Sequence, residues 1–178
     1  FQESKSSNRY NFIAVGTIAP WHGWDKFLYA LDMYKKNNPN YDDFHLKVIG
    51  DGPDRMLLEE IVSENDLSDV VTFYGNIPFE DIAMHYQDQH IGLGSLGWER
   101  VGVSIASPIK SREYLMNGLN VLYATQDMDL DNFNLAFALP HGCTVDDIYN
   151  YLINIKSIYK YSPISCIDFA SDNCSFDK

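Results

Sequence analysis

The sequence predicts an α/β fold, a doubly wound parallel sheet of about six strands with helices on both faces. Three observations carry that expectation. Short strand-like apolar runs alternate with longer stretches of helical periodicity along the chain. No internal repeat or low-complexity linker interrupts the alternation. The 178 residues, 46% hydrophobic and 14% aromatic, suit one domain that can bury a core large enough to offset chain entropy.

After a polar segment or linker at 1–10, the first strand is read at 11–15 (NFIAV). A loop from Gly16 to Trp24 leads to a helix over about 25–37, with Phe27, Leu28, Leu31 and Tyr34 on one stripe. Residues 44–49 (FHLKVI) make the second strand, closed by the turn Gly50-Asp51-Gly52-Pro53. The next helix carries Leu57, Leu58, Ile61 and Val62 on one face, and the third strand at 70–74 (VVTFY) ends at Gly75. Phe79, Ile82, Ala83 and Tyr86 mark a short helix with Glu80 and Asp81 in its first turn. Strands four and five fall at 90–93 and 120–124. Between them a long loop reaches a helix near Ser107-Pro108, an N-cap followed by proline at the first helical position. Residues 135–139 read as a sixth strand. Thr144 with Asp147 resembles a capping box, opening a helix with Val145, Ile148, Leu152 and Ile155 inward. The domain is expected over 11–165, with a tail at 166–178.

The net charge of -12 argues against a nucleic-acid duplex or an anionic membrane surface as partner, since both need a basic footprint. No apolar run reaches the ~18 residues needed to span a bilayer. Cys143, Cys166 and Cys174 match no zinc spacing and read as free thiols of a reducing compartment. The chain begins with Phe1 and reads as a piece of a longer polypeptide.

In a doubly wound sheet, ligands bind beyond the carboxyl ends of the strands, so the loops there hold the candidates. The first, Gly16 to Asp25, lacks the Gly-x-Gly-x-x-Gly fingerprint of dinucleotide binding but places Gly23 at a helix N-terminus, a fair anion site. His22 and Lys26 could add positive charge there; equally, Gly16 and Gly23 read as turn residues and His22 as a solvated side chain. Residues 94–102 (GSLGWERVG) combine three glycines, an arginine and a tryptophan, unusual for a passive link. Lys110 and Glu113 share a helix face, either a surface pair or a carboxylate for ribose hydroxyls beside a cation for phosphate. Asp127, Asp129 and Asp131 are spaced like metal ligands but read as a solvated loop, and no metal or cofactor is expected.

Four stretches together resemble the C-terminal, donor-binding domain of GT-B-fold glycosyltransferases, family-4-like enzymes of bacterial surface-polysaccharide synthesis. They are VGTIAPWHGWDKFLYAL, HLKVIGDGPDRMLLEEI, VTFYGNIPFEDIAMHY and IGLGSLGWERVGVSIASPIKSREYLMNGLNVLYA. The individual turns are weak signals; their order and spacing across residues 12 to 124 carry the resemblance. It implies a Rossmann-like domain that binds a UDP- or GDP-linked sugar and transfers the sugar to a glycan or lipid-linked acceptor. The acceptor site would lie on an N-terminal half outside these residues, as would any membrane contact. The location implied is cytoplasmic or at the inner face of the membrane. No catalytic residue is assigned within the chain, and the fragment alone is expected to be inactive.

Carried over by position, the resemblance implies that Glu113 binds the ribose hydroxyls. Lys110 would lie near the diphosphate or sugar, and Gly75, Asn76 and Ile77 near the base. Gly16 and the loop with His22, Gly23 and Lys26 would lie near the diphosphate, with Ser95 and Arg100 on the glycine-rich loop completing the site. Three positions depart from the pattern: Ile105 stands where a first glutamate belongs, Thr17 where an arginine does and His22 where a lysine does. Glu99 is a conceivable substitute for the missing carboxylate, and Arg100 and Lys26 for the missing cations. The rival expectation is a non-catalytic partner-binding or regulatory α/β module.

Overall fold

The computed structural model describes residues 9–38 and 41–173. Its six strands are β1 (Tyr10–Val15), β2 (Phe44–Ile49), β3 (Val71–Gly75), β4 (Ile91–Leu93), β5 (Asn120–Tyr123) and β6 (Ala136–Ala138). All pair in parallel, in the order β3-β2-β1-β4-β5-β6. The helices are α1 (Trp24–Asn37), α2 (Arg55–Glu64), α3 (Phe79–Tyr86), α4 (Ile109–Met116), α5 (Val145–Ile158) and α6 (Pro163–Asn173). This is the Rossmann-like arrangement, with its switch of strand order between β1 and β4.

Both faces of β1 are buried, which is why its sequence is apolar without alternation. Phe12 and Ala14 pack with Phe27 of α1, Leu58 and Ile61 of α2, and Leu152 of α5. Ile13 and Val15 face the other way, into a second cluster with Tyr86 of α3, Tyr114 and Leu115 of α4, and Cys166 and Ala170 of α6. The Thr144 cap opens α5: the Asp147 N–H donates to its hydroxyl at 3.2 Å, and its own N–H donates to the Asp147 carboxylate at 2.8 Å.

Several local expectations shift. Leu57 lies on the exposed side of α2, whose buried stripe is Leu58, Ile61 and Val62. Phe79, at the start of α3, is 79% exposed, so that helix is held mainly through Ile82 and Tyr86. Ser107 does not cap α4. Pro108 occupies the capping position with an extended ψ of 132°, which keeps it out of the helix, and no side chain caps it. Residues 163–173, which the sequence divides between domain end and tail, form α6 against α4, and Phe133 stacks on Phe169 at 4.0 Å. Cys143 and Cys166 are buried free thiols; Cys174 lies outside the described residues.

Candidate functional site

At the switch point, β1 and β4 pair only through Phe12–Ile91 and Ile13–Gly92, then part. Tyr114 of α4 fills the opening. Its ring lies on Gly92, where a Cβ would come within 2.1 Å of the ring carbon. Its hydroxyl accepts the Val15 N–H at 2.9 Å and donates to the Leu93 carbonyl at 3.4 Å, satisfying the backbone of both strand ends. The phenol therefore seals the sheet beneath the cleft. Tyr114→Phe keeps the ring but strands a buried N–H, so it is expected to cost about 1–2 kcal/mol in urea denaturation.

Two cavities open above this seal at the carboxyl edge. The larger, 280 Å³, is walled by Trp21 and His22 of the first loop, Trp24 at the start of α1, Ser95 and Trp98 of the connection after β4, and the first turn of α4 over Tyr114. The smaller, 160 Å³, is walled by Gly16, Thr17, Gly50, Asp51, Asn76 and Ile77, the turns after β1, β2 and β3. Val15 and Lys110 line both, so the two meet at the N-terminal turn of α4.

The connection after β4 is docked rather than loose, with residues 94–97 buried. Its Leu96 N–H donates to the His22 carbonyl at 2.7 Å, and the Trp24 indole donates to the Gly94 carbonyl at 3.1 Å. Gly23 adopts a left-handed φ of 62°, and a Cβ there would meet the Gly97 nitrogen at 2.7 Å. Only glycine fits both the dihedral and the contact.

His22 is fixed by the same docking. Its Nδ1 lies 2.9 Å from Ser95 Oγ, and its ring stacks on Trp24 at 4.6 Å. Burial lowers its pKa from 6.5 to about 4, so at neutral pH it brings no positive charge to the site, contrary to expectation. The unfolded chain takes up a proton near pH 6.5 that the folded chain refuses until about pH 4. Stability should therefore fall as pH drops through that window, and His22→Gln should remove that part of the acid-side slope in denaturation midpoints measured from pH 7 to 4.

The cations are committed to carboxylates. Lys26 Nζ lies 2.5 Å from Glu99 Oε1, and Arg100 grips both oxygens of Asp25 at 2.8 Å. Burial alone would push the Glu99 carboxyl up; hydrogen bonds from Lys26 and its own backbone, with the Lys26 and Arg100 charges, hold it below the usual range. Lys26 and Arg100 thus lace the first loop to the connection after β4 instead of standing open to a diphosphate, and Glu99 is held by Lys26 rather than replacing a missing ligand carboxylate. Lys110 Nζ donates to Glu113 at 2.6 Å with both side chains about a third exposed, so the pair forms at the cleft mouth. Ile105 is 57% exposed and bridges to Gln126.

Of Asp127, Asp129 and Asp131, Asp129 and Asp131 are exposed as a solvated loop predicts, but Asp127 is not. Asp127 is fully buried and takes both ends of the Arg112 guanidinium, while Asp129 Oδ2 accepts from Arg112 Nη2 at 2.5 Å. The Tyr123 hydroxyl donates to Asp131 at 3.0 Å, and Asp131 also accepts the Asp127 N–H. The cluster ties α4 to the loop after β5. Among the described residues, no group of three or more His, Cys, Asp or Glu side chains is placed to hold a metal.

Of the residues singled out in the sequence, Gly16, Asn76, Ile77 and Lys110 border the smaller cavity, and His22, Ser95 and Lys110 the larger. Gly23, Lys26 and Arg100 lock the frame from outside the walls. Gly75 and Glu113 flank wall segments without lining them. Trp24, Trp98, Ser111 and Tyr114 line the larger cavity unforeseen; only the high tryptophan content of the two loops hinted at them. No described helix is long and apolar enough to cross a membrane.

Solved structures share the fold at low identity. The lipopolysaccharide outer core galactosyltransferase WaaB in apo form matches at TM-score 0.73 and 16% identity, over 96% of this chain and 46% of that one. The C-terminal domain of the group 1 glycosyl transferase LpcC from Francisella tularensis matches at 0.72 and 16%, over 94% and 87%. Anabaena HepE in complex with UDP and glucose matches at 0.70 and 16%, over 93% and 44%. The chain thus spans less than half the length of WaaB and of HepE and most of an isolated C-terminal domain. No curated protein sequence matches it. The family model described as glycosyl transferases group 1 matches residues 1–112, from the N-terminus into α4, and the chain belongs to that family.

Proposed function

We propose that the chain is the donor half of a glycosyltransferase and holds a nucleoside-diphosphate-sugar for transfer to a glycan or lipid-linked acceptor. The supporting observation is the pair of cavities that meet at Lys110, one above the glycine turns after β1 to β3 and one above the switch point. A long, jointed ligand fits such a site: base against Asn76 and Ile77, ribose at Glu113, diphosphate across Gly16 and the α4 N-terminal turn. The backbone N–H groups of that turn suit an anion. Catalysis would then consist of positioning and of stabilising the leaving diphosphate. The acceptor site and any membrane contact belong to a second α/β half.

Calorimetric titration of UDP, GDP and AMP into the chain tests this reading. UDP or GDP should bind in preference to AMP, without sugar transfer by these residues alone. Indifference to all three nucleotides would instead favour a module that keeps the fold without the site.

A further inference from the structure

Resting on the donor-site reading, we infer that Ser95 is a positioning residue, which holds the His22 proton on Nε2 so that this N–H meets the diphosphate of the donor. The first argument is place. His22 lines the larger cavity and Gly16 the smaller. A Cβ built on Gly16 would find, chain neighbours aside, only one heavy atom of the described residues within 4 Å, His22 Nε2 at 3.9 Å. The space above Gly16 is therefore open, with Nε2 at its edge. A diphosphate crossing Gly16 comes within hydrogen-bond reach of that nitrogen.

The second argument is which ring nitrogen carries the proton. Ser95 is buried, and its Oγ lies 2.9 Å from His22 Nδ1 and makes no other hydrogen bond among the described residues. A hydroxyl has one proton to give. Given to Nδ1, that proton is satisfied and the imidazole keeps its own on Nε2. In the reverse arrangement Nδ1–H donates to Oγ, which leaves the serine proton without a protein acceptor and turns the Nε2 lone pair toward an anionic ligand. Nε2 makes no hydrogen bond among the described residues and is not shielded from solvent, so a ligand can reach it.

The third argument is charge. Burial keeps the ring neutral down to about pH 4, while Glu99 and Asp25 hold Lys26 and Arg100. Beside the first loop, the diphosphate then meets an N–H rather than a free cation. The ring is stacked on Trp24 at 4.6 Å and tied to Ser95, so the N–H is oriented before the ligand arrives. Dipoles fixed in advance stabilise a developing negative charge without reorganising.

Nitrogen-15 NMR of the imidazoles tests the inference, with the His22 signals identified by their loss in His22→Gln. In the free chain the His22 proton should sit on Nε2; a proton on Nδ1 overturns the assignment. Ser95→Ala should admit a share of the Nδ1–H form, and an unchanged ring there removes the role of Ser95. UDP should shift the Nε2–H resonance and uridine should not, with GDP and guanosine in their place if GDP is the tighter nucleotide. In calorimetry His22→Phe, which keeps a ring without the N–H, should weaken UDP binding about tenfold. His22→Gln, which keeps an N–H at similar reach, should lose less. UDP that binds without moving the Nε2–H signal, and equally well to His22→Phe, overturns the inference and leaves the donor site standing. Failure of UDP and GDP alike removes both readings.

Discussion

Arg112→Leu is expected to lower the unfolding free energy by about 3–5 kcal/mol, the largest loss among the single changes considered. Asp127 is the reason. It is fully buried, and both its oxygens face the Arg112 guanidinium. Leucine would leave that carboxylate with the Asp129 N–H and without its counter-charge. Asp129 is 45% exposed at its side chain and can turn to water, so it contributes little to the loss. The double change Arg112→Leu with Asp127→Leu removes both charges and should recover most of the stability, because a well-packed apolar pair often matches a buried ion pair. Urea denaturation of the single and double variants measures the difference. A single variant within 1 kcal/mol of the parent would mean that Asp127 finds solvent, contrary to its burial.

Glu113→Ala is expected to weaken nucleotide binding about ten- to a hundredfold. Charge-assisted hydrogen bonds from two ribose hydroxyls contribute roughly 1.5–3 kcal/mol, which converts to that range. The same side chain, read only as the partner of Lys110 at the surface, would cost a few tenths of a kcal/mol in stability and nothing in affinity. Glu113→Gln separates the two, since it keeps the size and removes the charge. Calorimetry with UDP and GDP on the three proteins decides between them; unchanged affinity in Glu113→Ala overturns the ribose assignment.

The fold was legible where its determinants are local. The second strand is read at its observed bounds, and the Thr144–Asp147 cap is visible because both halves of the motif lie within one turn. The start of α4 was misread because Ser-Pro signals a helix start without fixing which residue is the cap. Helix α6 escaped because its apolar residues are diluted by Ser, Asp and Asn, and its place comes from burying Cys166 and Ala170 beside α4, a tertiary contact. For the candidate site, the sequence supplied the loops but not their pairings. Lys26 and Glu99, or Arg100 and Asp25, lie more than seventy residues apart, and nothing in their spacing marks them as partners. The neutral state of His22 likewise depends on burial against Trp24 and Ser95 that only the folded chain creates.

Those pairings bear on how quickly a ligand arrives. Lys26, Arg100 and Lys110, the cations around the cavities, each face a carboxylate, so their fields largely cancel a few ångströms from the surface. The chain as a whole carries -12, and an anionic nucleotide approaches it against a repulsive potential. Electrostatic steering, which speeds many encounters between opposite charges, is reversed here. Dissolved salt shortens the reach of the repulsion, from about 30 Å at 0.01 M to about 8 Å at 0.15 M. On the donor-site reading, nucleotide capture by this domain is therefore expected to accelerate as ionic strength rises from 0.01 M to 0.15 M, with attraction supplied by the backbone amides within the cleft.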